Sequence, residues 1–182
     1  RHRVDRERGI IHNVKILGRK SRNGQTYSKS AISGSIPLYE GSPVFADHPK
    51  LPDDERRVED QLGWLEGVYE QSDGLHAREF HFVKSHPLAS MLCELAERRP
   101  DKWGFSHNAK CNLRRGIGGG VYESINLVRS VDVVCKPATT RCVFESFRGE
   151  TMETITFYDF FATKAREVFD AEEIDQSQKP AA

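Results

Sequence analysis

Residues 62–83 read LGWLEGVYEQSDGLHAREFHFV, two apolar and aromatic runs separated by a Ser-Asp-Gly turn at 72–74. Strand-forming residues on both sides of a short glycine-containing turn are typical of a β-hairpin. A hairpin makes two neighbouring strands antiparallel. This stretch therefore predicts that the core of the protein is built around an antiparallel sheet.

Further strands and helices are predicted on both sides of the hairpin. The predicted strands cover residues 9–17, 44–46, 103–109, 121–127 and 131–135. Apolar residues recur at helical spacing between Pro87 and Pro100 and again over 156–169, and residues 28–40 are compatible with a short helix. Because strands and helices do not alternate regularly, the pattern indicates an α+β fold or a barrel flanked by helices, and not a doubly wound sheet.

The composition is that of one soluble domain. The chain has 182 residues, of which 37% are hydrophobic and 30% charged, with no formal net charge. We expect a flexible basic leader over residues 1–8, a single domain over 9–175 and a linker or processing tail over 176–182. Residues 1–22 are mainly basic and 145–175 mainly acidic, a polarity that is usually solvated, so direct nucleic-acid binding is not predicted.

The cysteines and the apolar runs exclude several classes of protein. The four cysteines form no C-x-x-C pair, so neither a zinc module nor a disulfide framework is predicted. No apolar run reaches the roughly 20 residues of a membrane span, and no apolar stretch follows the basic start as in a signal peptide. We expect a cytosolic protein without a membrane partner.

A serine and a histidine are the candidate chemical groups. Ser106 lies in the sequence WGFSHN at 103–108, and His48 follows the predicted strand 44–46. A serine hydroxyl becomes a good nucleophile when a neutral imidazole accepts its proton, so such a pair is the minimal machinery for acyl transfer. Pro49 restricts His48 to extended conformations, which gives the imidazole a defined direction.

A third residue is needed to orient the histidine and stabilise its charged form. Asp132 is the first candidate, because it interrupts the apolar run 131–134 and a buried carboxylate requires a partner. Glu123 is the second candidate. The ordinary alternative for Asp132 is an outward-facing strand position paired with an arginine such as Arg129.

Metal and cofactor sites are not predicted. His76 and His81 are separated by an odd number of strand positions, so they point to opposite faces and cannot share a metal with His86. The glycine-rich loop 116–120 lacks the Lys-Ser/Thr ending of a phosphate-binding loop and is interpreted as a surface turn.

Several short motifs occur together in a characteristic order. They are Asn23-Gly24 with Tyr27, Ala46-Asp47-His48-Pro49, Leu62-Gly63-Trp64-Leu65, Gly104-Phe105-Ser106, and residues 129–134 before Pro137-Ala138. Over residues 9–145 this arrangement resembles the prohead proteases of tailed phages, a family similar in fold to the herpesvirus assembly proteases. The resemblance implies a mostly antiparallel β-barrel surrounded by helices.

The resemblance also implies an activity. It implies a serine endopeptidase that cleaves scaffold protein, and often the N-terminal segment of the major capsid protein, inside an immature head in the host cytoplasm. Ser106 would attack the scissile carbonyl, His48 would move the proton and Asp132 would hold His48. The herpesvirus branch uses a second histidine downstream of the serine, whereas no histidine follows His107 here.

Further features follow from the same resemblance. Backbone N–H groups of Lys136, Ala138 and Arg141 are the candidates for an oxyanion hole, to which the side chain of Arg141 would add a positive charge. Such enzymes often release themselves by autocleavage, for which the tail at 176–182 is a candidate site, although it would serve equally as a linker. The aromatic face of the predicted helix 156–169 suggests a homodimer.

Two other functions share these residues. A catalytically inactive scaffold or capsid-assembly module of the same fold predicts a distance between Ser106 and His48 too long for proton transfer. Another hydrolase, such as an esterase, would use the same pair on small esters.

Overall fold

The computed structural model describes residues 3–116 and 119–144. The strands are β1 (Val4–Asp5), β2 (Ile10–Gly18), β3 (Thr26–Tyr27), β4 (Pro43–Ala46), β5 (Gln61–Gln71), β6 (Gly74–Phe82), β7 (Gly104–Gly116) and β8 (Gly119–Val134). The α-helices are α1 (Lys29–Tyr39) and α2 (Ala89–Arg98), and short 3-10 helices cover Val58–Asp60 and Pro100–Lys102. Within these residues the protein is therefore mostly β-sheet with few helices.

All eight strands belong to one sheet. Its order is β1-β2-β6-β5-β4-β8-β3, and β7 pairs with β8. The predicted hairpin is confirmed as β5 and β6, and most other neighbours are antiparallel too. The exceptions are β3 and β4, which run parallel to β8. Strand β8 consequently joins β7 to the part of the sheet that contains the β5–β6 hairpin.

The prediction of two separate strands over 121–127 and 131–135 is wrong, because β8 is continuous. Residues 128–130 contain no turn-forming pair, and β7 stays hydrogen-bonded along the whole of β8. Three register shifts in that ladder absorb the irregularity, the first between Asn108 and Ala109. A bulge bends a strand without ending it.

The predicted barrel is not closed. Strand β2 approaches β7, but no ladder joins them among the described residues. The gap beside β2 is instead covered by the segment after β8, where Val14 forms an isolated bridge with Phe144 and the Lys15 N–H donates to the Val143 carbonyl at 2.9 Å. Because β2 and β7 are distant in the sheet order and still in contact, the sheet is curled, but without a ladder between them it stays open.

The helices cover the buried face of the sheet. Ser28 caps α1, since its hydroxyl accepts a hydrogen bond from the Ala31 N–H at 3.0 Å, and the compatible helix at 28–40 is thereby confirmed. Helix α2 has no side-chain cap of its own, but His86, which precedes the helix, accepts from the Leu88 N–H through Nδ1 at 3.1 Å. The core between the layers includes the fully buried Phe80 and Phe105.

The first strand and the end of the described residues can be compared with the predicted domain limits. Val4 and Asp5 pair with Ile11 and Ile10, so the predicted leader contains hydrogen-bonded backbone. The described residues up to 144 lie in one compact unit, which covers 1–145. The predicted helix 156–169 and the tail 176–182 lie outside the described residues, and the limits at 8 and 175 stay predictions. Neither of the helices in the described part of the chain is long and apolar enough to cross a membrane.

Gly63 tests how closely β5 and β6 pack. A Cβ built on Gly63 would lie 1.8 Å from the His81 carbonyl oxygen, whereas one on Gly34 in α1 meets nothing within 4 Å. We expect Gly63→Ala to lower the free energy of unfolding by about 3 kcal/mol, because backbone must move to admit the methyl group. Gly34→Ala should raise it by about 0.5–1 kcal/mol. Urea unfolding measures both, and equal effects would contradict the packing.

Candidate active site

Three adjacent strands position the predicted catalytic residues. In the ladder of β7 with β8, Ser106 lies directly opposite Asp132. On the other side of β8, Asp132 is in register with Phe45 of β4, and His48 follows two residues after β4 ends. Directly opposed residues project to the same face of a sheet. The sheet order β4-β8-β7 therefore brings a histidine, an aspartate and a serine to one place.

Their side chains form a continuous hydrogen-bonded chain. His48 Nε2 lies 2.9 Å from Ser106 Oγ, and His48 Nδ1 lies 2.6 Å from Asp132 Oδ2. The Asp132 side chain is fully buried, while that of His48 is 43% exposed. A buried carboxylate holding an accessible imidazole next to a hydroxyl is the arrangement that acyl transfer requires. The distance also disagrees with the separation that an inactive module predicts.

The other oxygen of Asp132 is also occupied. Ser130 Oγ donates to Asp132 Oδ1 at 2.8 Å, and Arg56 Nη1 lies 3.5 Å from the same oxygen, which is an ion-pair distance rather than a hydrogen bond. Burying a carboxylate costs several kcal/mol unless it is paired in this way. The alternative partner Arg129 instead pairs with Asp53. The alternative acid Glu123 of β8 pairs with Arg114 of β7.

Arg56 is a functional candidate that the sequence analysis missed. Its Nη2 donates to the carbonyls of Ala46 at 3.0 Å and Asp47 at 2.9 Å, and its guanidinium lies 4.4 Å from the centre of the Phe45 ring. Asp47 adopts a left-handed φ of 55°, which turns the chain after β4 towards His48. Arg56 thus stabilises the turn that positions His48, and it also contacts Asp132, the hydrogen-bond partner of His48. The sequence could not distinguish Arg56 from its neighbour Arg57, because both are arginines in the same charged loop.

His107 was also missed, and it lies on the opposite side of β7 from Ser106. Its Nε2 lies 2.8 Å from the Tyr27 hydroxyl and its Nδ1 lies 2.5 Å from the Tyr39 hydroxyl. Burial, with a smaller contribution from the charge of nearby His48, lowers the pKa of His107 to about 4. Burial raises the pKa of both tyrosines, so they keep their protons. His107 is therefore neutral near pH 7, and its ring links the hydroxyl groups of Tyr27 and Tyr39.

The predicted oxyanion segment packs beside the serine strand. Thr140 Oγ1 donates to the Phe105 carbonyl at 3.3 Å, and a Cβ on Gly104 would meet the side chains of Thr140 and Pro137. Lys136 and Arg141 are exposed, and Ala138 is half-buried with its carbonyl accepting from the Arg22 N–H at 2.8 Å. The segment thus lies next to the residues that precede Ser106. The oxyanion roles of Lys136, Ala138 and Arg141 stay predictions.

The histidines considered for metal binding are separated, as their spacing indicated. His76 is fully buried against Asp73 at 2.8 Å, and burial lowers its pKa. His81 lies on the outer side of the hairpin with Glu66 and Glu79, and in the described part of the chain these three form the group whose geometry suits a metal ion. The two glutamates were missed because cross-strand pairing brings them together beside His81, which the spacing of histidines does not reveal.

Comparison with known proteins shows a similar fold in one solved structure. No family model and no curated protein matches the sequence. Among solved structures, the bacteriophage T4 capsid assembly protease gp21 is similar, with a TM-score of 0.55 at 14% sequence identity. The similarity covers 70% of this chain and 82% of that one. The chain therefore has a fold like that of a phage capsid assembly protease; the herpesvirus-like details stay predictions.

Arg56 and its neighbour Arg57 form a matched test of the turn at His48. Arg57 pairs with Glu59 and its side chain is 72% exposed. We expect Arg56→Ala to lower the free energy of unfolding by about 2–4 kcal/mol, because it leaves a buried carboxylate and two carbonyls with fewer partners. Arg57→Ala should change it by less than about 0.5 kcal/mol. Denaturant unfolding compares the two, and similar losses would contradict the role of Arg56.

His107 should make stability depend on pH. Because the pKa in the folded state, about 4, lies below the ordinary value of about 6.5, the unfolded chain binds the proton first as pH falls. Stability from this residue is complete above about pH 6.5 and decreases down to about pH 4, by up to about 3 kcal/mol. His107→Gln keeps hydrogen-bonding groups and cannot titrate in this range.

Urea unfolding at several pH values measures this contribution as the difference between the wild type and His107→Gln. We expect the wild type to lose more stability than the variant on acidification. Since His76 titrates in both proteins, its contribution cancels. Parallel pH dependences would show that His107 does not gain its proton on unfolding.

Proposed function

We propose that the protein is a serine endopeptidase of phage head maturation. The observation that carries the proposal is the hydrogen-bonded chain from Ser106 through His48 to buried Asp132. The fold shared with a phage capsid assembly protease supports the biological setting. The order of motifs along residues 9–145 supports it as well, because that order resembles the prohead proteases of tailed phages.

In the proposed reaction Ser106 Oγ attacks the scissile carbonyl carbon while His48 Nε2 accepts its proton. Asp132 accepts a hydrogen bond from His48 Nδ1–H, which selects the tautomer with a free lone pair at Nε2 and stabilises the imidazolium that forms. The imidazolium then gives the proton to the leaving amine as the peptide bond breaks. Water, activated by the same nitrogen, hydrolyses the acyl-enzyme and regenerates the serine.

Ser130 and Arg56 have positioning roles in this mechanism. By occupying Oδ1 of Asp132, they leave Oδ2 to face His48. The carboxylate cannot rotate away from the imidazole without losing these contacts, since it is buried on a central strand. Donors for the tetrahedral intermediate are proposed from the backbone of 136–141, where one well-placed donor contributes about 2.7–4 kcal/mol in such enzymes.

The proposed substrates are scaffold protein and the N-terminal segment of the major capsid protein, cleaved within the prohead in the host cytoplasm. Autocleavage and a homodimer are part of the same proposal. They are supported by the resemblance alone, because the segments concerned lie outside the described residues. No metal, cofactor, membrane or nucleic acid enters the proposed reaction.

Ser106→Ala and Asp132→Asn test the mechanism. We expect Ser106→Ala to abolish cleavage of the scaffold protein encoded with this enzyme, and Asp132→Asn to lower kcat by about 10⁴-fold, because an amide stabilises the wrong histidine tautomer. Ser124→Ala is the matched control for Ser106→Ala, since Ser124 lies on β8, the partner strand of β7, and bonds to Asn126. Cleavage assays with fragment mass spectrometry provide the measurement.

A fluorophosphonate probe, which labels activated serines, separates the alternatives. Labelling at Ser106 with scaffold cleavage supports the protease, and labelling with turnover of small esters alone supports another hydrolase. An inactive assembly module would give neither labelling nor cleavage. Scaffold cleavage by Ser106→Ala equal to that of the wild type would refute the assignment of the nucleophile.

A further inference from the structure

A second group of chemically active side chains lies on the outer side of the β2-β6-β5 part of the sheet. Glu66 is on β5, and Glu79 and His81 are on β6; these three residues are called the hairpin cluster below. One ligand atom from each lies within 4.8 Å of the others. The cluster shares no residue with the proposed active site.

The strand register places two negative charges face to face. Glu66 is directly opposite Glu79 in the β5–β6 ladder, and like charges at such positions destabilise a sheet. Histidines from two strands surround this pair. His81 Nε2 lies 2.9 Å from Glu79 and 3.3 Å from Glu66, and His12 Nδ1 of β2 lies 3.7 Å from the other oxygen of Glu79.

The imidazole of His81 has the position of a ligand. Its Nε2 is buried inside the cluster, yet within the described residues it forms no hydrogen bond of normal geometry despite the short distances to both carboxylates. Ligand atoms on a tetrahedral zinc ion, with bonds of about 2.0–2.2 Å, are about 3.3 Å apart. The distances within the cluster bracket that value, so an ion could sit among the three atoms with small adjustments.

Trp64 holds two of the three side chains in place. Its indole Nε1 donates to Glu66 Oε1 at 2.8 Å, which leaves Oε2 facing His81. The indole also stacks on the His81 ring, with centroids 5.1 Å apart and planes 4° from parallel. Partners that orient the ligands in this manner are a regular feature of metal sites.

We propose that the hairpin cluster binds one divalent transition-metal ion, with zinc as the best fit, and that His12 completes the coordination. Two carboxylates and imidazole nitrogen form a ligand set that zinc prefers, and the ion would neutralise the opposed negative charges. It would also link β2, β6 and β5 through their side chains. Its role is therefore structural and does not require the proposed protease activity.

The test measures metal binding by the full chain after treatment with EDTA. Calorimetric titration with Zn²⁺ should give one ion per chain, and bound Co²⁺ should show tetrahedral visible absorption and quench Trp64 fluorescence. His81→Ala, and the nearly isosteric double variant Glu66→Gln/Glu79→Gln, should weaken Zn²⁺ binding by more than the roughly 10–100-fold lost when an outer partner of a metal ligand is removed.

Two controls locate the ion. His86→Ala removes a half-buried histidine outside the cluster and should leave affinity unchanged. His48→Ala removes the imidazole of the proposed active site and should also bind Zn²⁺ as the wild type does. Circular dichroism of each variant confirms that the sheet is retained, and the isosteric double variant serves if His81→Ala does not fold.

The results decide the proposal in either direction. Loss of binding in both cluster variants, with both controls unaffected, supports it. No Zn²⁺ binding by the wild type, unchanged binding in the double variant, or loss confined to His48→Ala would overturn it. None of these outcomes depends on whether the protein cleaves scaffold, so the two proposals fail separately.

Discussion

The buried carboxylate of Asp132 is the constraint on which the proposed site depends. It lies on β8 between β4 and β7, where water does not reach it. An unpaired charge at that position would cost several kcal/mol, so the neighbouring strands must supply partners. His48 at the end of β4 and Ser130 on β8 itself supply hydrogen bonds, and Arg56 supplies a positive charge.

The same pairing relates stability to chemistry. The groups that compensate the charge of Asp132 also fix the ring of His48. The ring in turn contacts Ser106, which lies directly opposite Asp132 in the β7–β8 ladder. The ladder fixes the backbone of Ser106 and Asp132, and Arg56 holds the turn before His48, so the site has little freedom. Such rigidity suits an acyl-transfer site, where small displacements of the reacting groups are costly.

The hairpin cluster illustrates a different use of cross-strand pairing. At Asp132 a buried charge is satisfied by protein groups, whereas Glu66 and Glu79 face each other with histidines as their neighbours. The proposed metal ion would supply the missing positive charge there. Both arrangements follow from the rule that opposed strand residues share a face, and they differ in what compensates the charge.

The sequence by itself determined the β-hairpin, most of the strands, the helix after Pro87 and the candidates Ser106, His48 and Asp132. These features depend on local patterns of apolar residues, turns and isolated polar residues, which can be read from short stretches of sequence. Only the tertiary structure decided that the sheet stays open, that β8 is continuous, and that Arg56 and His107 flank the site. Those features depend on which strands pair and in what register, and contacts between residues as distant as His48 and Ser106, 58 positions apart, are not encoded by local spacing.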